Sequence, residues 1–140
     1  MKRLVVSMGE AATGALPVPG GGGTYHILID EPTTGARAFS LLVNEIRPGF
    51  AGREHSHGVE HGMYFIRGRG RFRLNGKAYP VGPGTAVFAP PHAPHSLACE
   101  GDEPLRYVVI YAPGGTEQEL RDRGEAAYGR RTPGDPPEET

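Results

Sequence analysis

Arg71-Phe72-Arg73-Leu74-Asn75-Gly76-Lys77-Ala78-Tyr79-Pro80-Val81 is the stretch that decides the fold class. Charged and apolar side chains alternate through 71–74, the period of a half-buried strand. Asn75-Gly76 then supplies two residues that tolerate positive φ, as a type I′ hairpin turn requires. The chain returns through 77–81. Pro80 cannot donate to a ladder, so the returning strand belongs at a sheet edge or at a bulge. A lone hairpin is marginal in water and needs further strands to bury its apolar side.

The flanking sequence supplies those strands. Runs at 25–29, 37–46, 63–67, 85–89, 95–99 and 105–112 are apolar or alternating. Between Pro48 and Pro113 they recur at the roughly 8–12-residue spacing of a sandwich or barrel. In the run 37–46, Phe39, Leu41 and Val43 share one face and Ser40, Leu42 and Asn44 the other. Residues 4–8 read as one more short strand, followed by a flexible region that ends at Gly20-Gly21-Gly22-Gly23. Asp30-Glu31-Pro32-Thr33-Thr34-Gly35 reads as a turn. After Gly114-Gly115, Thr116-Glu117-Gln118-Glu119 is a capping box that opens a short helix, weakened at Gly124 or Gly129. The polar, proline-rich residues 132–140 are expected to be disordered. The expectation is therefore an all-β domain over 1–113, then a helix and flexible tail over 114–140.

Composition supports this. The chain has 22 glycines and 14 prolines in 140 residues, with 37% hydrophobic residues and a net charge of -1. Glycine and proline are the worst helix formers. A nearly neutral chain with this apolar content nevertheless collapses rather than staying disordered. No apolar run approaches the ~18 residues that span a bilayer, and residues 1–7 lack the apolar core of a secretory signal. The single cysteine, Cys99, can form no internal disulfide and no thiolate cluster. A cytoplasmic location is expected, and the charge balance gives no case for a nucleic-acid or membrane partner.

The chemistry lies in the histidines. Five of the six fall in two windows, 55–61 and 92–95. His55 and His57 are two apart, so on a strand they share a face. His61 follows beyond Gly58, and His95 comes within reach if the later strands pair in a barrel. Neutral imidazole is the commonest metal ligand, and clustered nitrogens suit Mn, Fe, Ni, Cu or Zn. His92, stiffened within Pro90-Pro91-His92-Ala93-Pro94, is either a group at the barrel mouth or an exposed turn residue. Tyr64 and Tyr107 are either packed aromatics or substrate contacts. Glu60 is the nearest carboxylate and the candidate base. Cys99 reads as a small buried residue and His26 as structural. Arg67, Arg69, Arg71 and Arg73 share the parity opposite to Phe72 and Leu74, the pattern of a solvated outer face.

Gly49-x5-His55-x-His57-x3-His61-x6-Gly68 resembles the first cupin motif, with His61 where most cupins carry Glu. Gly84-x5-Pro90-x-His92-x2-His95-x3-Cys99 resembles the second, with His92 in place of the usual Gly and Cys99 in place of the usual Asn. The resemblance covers about 46–111. It implies a cupin jelly-roll β-barrel with a short C-terminal helix, a homodimer, and a small-molecule substrate or ligand. It also implies one divalent transition metal ion inside the barrel, held by His55, His57, His61 and His95. Glu60-His61-Gly62-Met63-Tyr64, Gly68-x-Gly70, Arg73-Leu74-Asn75, Tyr79-Pro80-Val81 and Arg106-Tyr107 are similar to the C-terminal cupin half of (S)-ureidoglycine aminohydrolases. Those enzymes also carry His at the third-ligand position and use a metal, usually manganese, to release ammonia from a ureido amino acid. They differ in having Glu at position 55 and Gln at position 95. Manganese therefore leads Fe, Ni, Cu and Zn, and hydrolase or lyase chemistry on a small polar molecule leads the functions. A four-histidine Fe, Cu or Mn dioxygenase and a non-catalytic binding or sensing module are the alternatives.

Overall fold

Antiparallel pairing organises the computed structural model, which describes residues 2–16, 21–118 and 120. A 3-10 turn at Met8–Glu10 precedes β1 (Ala12–Ala15) and β2 (Gly23–Ile29). The short helix α1 (Glu31–Thr34) leads to β3 (Ser40–Ile46), and then come β4 (Glu60–Arg67), β5 (Arg69–Leu74) and β6 (Lys77–Val81). The remaining strands are β7 (Ala86–Ala89), β8 (His95–Glu100) and β9 (Leu105–Ala112). They form a six-stranded sheet ordered β1-β2-β3-β9-β4-β7 and a three-stranded sheet ordered β6-β5-β8. Residues of both sheets share one hydrophobic core, giving an all-β jelly roll.

Register explains how the core is built. In the large sheet, Ala12, Ile27, Leu42, Val109, Met63 and Val87 are successive cross-strand partners, forming one apolar row. Burying each large side chain here contributes ~1.5–3 kcal/mol. Two residues toward the start of β4, the parallel row is Ser40, Tyr111, His61 and Ala89. Two residues the other way it is Tyr25, Asn44, Tyr107 and Phe65. The inward face of β3 is thus the mixed one, Ser40-Leu42-Asn44-Ile46, all buried. The small sheet contributes Phe72, Val81, Leu97 and Cys99. Beyond β8, residues 50–55 run alongside as an irregular fourth strand, held by Gly52 N–H to Leu97 O (2.9 Å) and Cys99 N–H to Phe50 O (2.8 Å).

The hairpin forms as its sequence requires: Asn75 has φ 51° and Gly76 φ 81°. β6, carrying Pro80, is an edge strand. Gly70 is needed for close packing, since a Cβ there would collide with the Ala98 carbonyl and the Leu105 side chain. Arg67, Arg69, Arg71 and Arg73 are exposed, and Arg67 and Arg71 pair with Glu103 and Glu100.

Several local expectations are corrected. Residues 4–8 form no strand, and Leu4 and Val5 are exposed. The first strand is instead β1, inside the stretch expected to be flexible, because pairing with β2 rather than its own hydrophobicity holds it. Gly23 is a buried strand residue, not a linker. The turn at 30–35 is the one-turn helix α1. Asp30 Oδ1 accepts the Thr33 N–H at 3.0 Å, and Gly35 closes it at φ 86°. β3 begins at Ser40 rather than 37. After β9, Gln118 N–H donates to Gly115 O and Leu120 N–H to Glu117 O, both at 3.0 Å. Leu120 joins the barrel core. The rest of the expected helix, with Glu119, Gly124 and Gly129, and the tail 132–140 lie outside the described residues.

Candidate metal centre

Three elements bring the histidines together. His95 opens β8, and its N–H and C=O exchange hydrogen bonds with those of His55 at 2.8 and 3.0 Å. This isolated bridge fastens the incoming loop to the small sheet. His57 follows two residues later and is buried. His61 enters from the large sheet on the inward parity of β4. One donor atom each from His55, His57 and His95 lies within 4.8 Å of the others, so these three can hold a metal ion. His61 adjoins them: its Nδ1 is 3.3 Å from His95 Nε2, and its ring centroid is 5.4 Å from that of His57.

Hydrogen bonds fix the rings for this purpose. His55 Nδ1 is 2.9 Å from Arg53 O, and His95 Nδ1 is 2.9 Å from Ala93 O. A carbonyl only accepts, so both rings carry their proton on Nδ1, and the ligand-type lone pair sits on Nε2. The same assignment makes His61 Nδ1 the donor to His95 Nε2, a bond that an ion at that nitrogen would replace. Tyr111 stacks on His61 with centroids 4.7 Å apart and meets His57 edge-on at 5.9 Å. Phe72 stacks on His95 at 5.9 Å.

Electrostatics favour the neutral form of His55 and His61. Burial holds the His55 and His61 imidazoles well below their ordinary range, and the neighbouring His95 and His57 push them in the same direction. Four clustered imidazoles in an apolar interior cannot all be charged, and the neutral form is the one that binds metals. The residues fit a transition metal on two counts. The donors are imidazole nitrogens, and the buried Nε2 of His61 has no hydrogen-bond partner. None of the described carboxylates joins the group.

The other predicted residues fall as follows. Glu60 and Tyr64 lie on the exposed face of β4, opposite His61, so the strand's alternation turns both away from the cluster. Tyr107 points inward and is 1% exposed. It packs on Phe65 and lines a cavity of about 10 Å3 with Phe50, Met63, His55 and His95. That volume admits one water-sized occupant. His92 is exposed, and its N–H donates to His57 O at 2.6 Å. It adopts φ 65°, the left-handed conformation that favours glycine. The substitution at this motif position is therefore strained, and the residue serves the site through its backbone. Cys99 is buried with Sγ 3.4 Å from Glu103 O, and burial pushes its thiol up. His26 Nδ1 bonds Val43 O at 3.1 Å, a structural role. Sequence reading missed Tyr111, although it lies four residues beyond Tyr107 and so shares its inward face. It also missed Ser40 and Asn44, whose Oγ and Oδ1 are buried without hydrogen-bond partners. The alternation of 37–46 places them on one face without telling which face is inward.

The family model described as Cupin domain matches residues 42–111, half of the chain. The chain belongs to the cupin family. Among curated relatives, this cupin is 38% identical over 88 residues to the L-ectoine synthase of Bordetella petrii, across 60% of its own length and 64% of that enzyme's. It is 29% identical over 79 residues to the (S)-ureidoglycine aminohydrolase of Arabidopsis thaliana, of which the match covers 26%. Among solved structures it is similar to the polyketide cyclase RemF of Streptomyces resistomycificus. That match has a TM-score of 0.69 and 31% identity, over 80% of this chain and 79% of that one. The cupin thus spans less than two thirds of the first of these enzymes and about a quarter of the second. No helix among the described residues is long and apolar enough to cross a membrane.

Proposed function

We propose that this cupin is a metal-dependent enzyme of hydrolase or lyase type, with His55, His57, His61 and His95 holding one divalent transition ion, manganese first among them. The observation that carries the reading is the buried cluster of neutral imidazoles, two of them locked by backbone carbonyls with Nε2 facing inward. When bound, such an ion supplies Lewis-acid polarisation of an oxygen on the substrate. The protein's own contribution is positional. Arg53 O and Ala93 O hold two rings, Tyr111 and Phe72 back two, and the surrounding apolar side chains exclude water. Glu60 has no part in this reading, because it projects from the opposite face.

The similarity to the polyketide cyclase RemF favours one substrate class, a polyketide, over a small ureido amino acid. The interior beside His55 and His95, lined by Phe50, Met63 and Tyr107, is packed down to one water-sized space and does not itself select a substrate. Elemental analysis of protein purified without chelator or affinity metal tests the first step: a stoichiometric divalent ion is expected, lost in His57→Ala. A poly-β-ketone panel and an ureido and amide panel then separate the substrate classes. Zinc as the resident ion eliminates the dioxygenase alternative, and tight binding with no turnover would favour the sensing one. The homodimer and the cytoplasmic location belong to this proposal. Light scattering reads the first, with Tyr64, Phe88 and Ile110 the exposed apolar side chains that motivate it.

A further inference from the structure

At the end of the large sheet where β3 begins and β9 finishes, the chain leaves a cleft of about 370 Å3. This is within the size range of small-ligand pockets. Its walls include Lys2, Glu31, Arg37, Gly115, Glu117 and Gln118. Glu117 is the unusual member. It is 1% exposed. Its Oε1 accepts the Gly115 N–H at 3.1 Å, while the buried Oε2 has no hydrogen-bond partner. A buried polar atom left unmatched is costly, and native structures rarely retain one without a ligand, water or ion to meet it. The cations of the cleft do not meet it: Lys2 donates to the Glu31 and Pro32 carbonyls, and Arg37 lies 3.6 Å from Glu31.

We propose that this cleft binds a small organic amine, with the ligand's ammonium group donating to Glu117 Oε2. Lys2 and Arg37 add cationic groups to a rim that also holds Glu31, so the class that matches both kinds of group is a zwitterion with its amine and carboxylate a few bonds apart. Gly115 and Glu117 are placed by the turn that follows β9, where Gly114 N–H donates to Arg37 O at 3.2 Å. That bond ties the anionic and cationic sides of the cleft to each other. No atom of the histidine cluster is needed for this binding, so the proposal stands apart from the metal chemistry.

The test is a chemical-shift titration of the 15N-labelled full chain with propylamine, propionate and β-alanine, in the presence of chelator and again without it. Saturable shifts at the Gly115 and Gln118 amides are expected with propylamine and β-alanine, and none with propionate. Glu117→Gln should weaken both amines by about tenfold or more, the loss of a charge-assisted hydrogen bond. Arg37→Ala, at a highly exposed side chain that leaves the fold untouched, should weaken β-alanine and spare propylamine. Absence of saturable shifts with propylamine overturns the proposal, as does unchanged binding in Glu117→Gln. Should Glu117→Gln fail to fold, the shift map of the native chain and the Arg37→Ala contrast decide the question.

Discussion

Acidifying the metal-free protein from pH 7.5 to 5.5 should destabilise it through the histidine cluster. In the unfolded chain His55 and His61 take up protons near their ordinary pKa of about 6.5. In the folded chain burial and the facing imidazoles hold both well below it. Across this window the unfolded state therefore binds more protons than the native state, so stability rises with pH and is lost on acidification. For a group that stays neutral when folded, the loss down to pH 5.5 is ~1.4 kcal/mol, or ~3 kcal/mol for the two. Above about pH 7.5 both states are neutral and the contribution is flat. Glu10, held below the carboxylate range by its bonds to Ser7, titrates beneath this window and does not confuse it. The chain has six tyrosines and no tryptophan, so tyrosine fluorescence reports urea unfolding. With a slope of ~1–3 kcal/mol/M, the midpoint should move down by about 1–3 M. His61→Phe should remove about half of the dependence. Adding metal should push the fall to lower pH, because protons must then displace the ion. A midpoint that is level or rises toward pH 5.5 would refute the neutral-cluster argument.

Other outcomes follow from the same geometry. His95→Ala should lower bound metal and melting temperature together, by the ~3 kcal/mol that ligand at a hundredfold its Kd contributes; mass spectrometry of metal content and calorimetry read the two. His92→Gly relieves the φ 65° backbone and should stabilise the fold by ~0.5–1 kcal/mol in denaturant melts, after the added chain entropy of glycine is offset. Gly70→Ala forces a methyl against the Ala98 carbonyl and Leu105 and should cost ~1–3 kcal/mol, measured as a shift of the urea midpoint.

How much the sequence reveals differs from element to element. The β5–β6 hairpin is legible because Asn75-Gly76 permits only a few turn geometries, and Pro80 confines β6 to an edge. The histidines are legible as a group because their spacing is tight, and His55 and His57 share a parity. β1 is not legible: Ala12-Thr13-Gly14-Ala15 has little strand preference and is held by its ladder to β2. Ser40 and Asn44 are undecided in the sequence for a related reason. Alternation assigns them a common face but not which face is inward, and the neighbouring β9 turns them into the barrel.

By itself, then, the sequence determined the β class, the Asn75-Gly76 hairpin and a clustered group of histidines with metal-ligand chemistry, because backbone conformational limits and side-chain donor chemistry are local properties. Tertiary structure decided which carboxylates stay outside, which aromatics back the imidazoles, and where a buried glutamate faces a cleft. Those facts depend on register between strands that are distant in the chain. Register is set by the summed packing of whole faces rather than by any one residue.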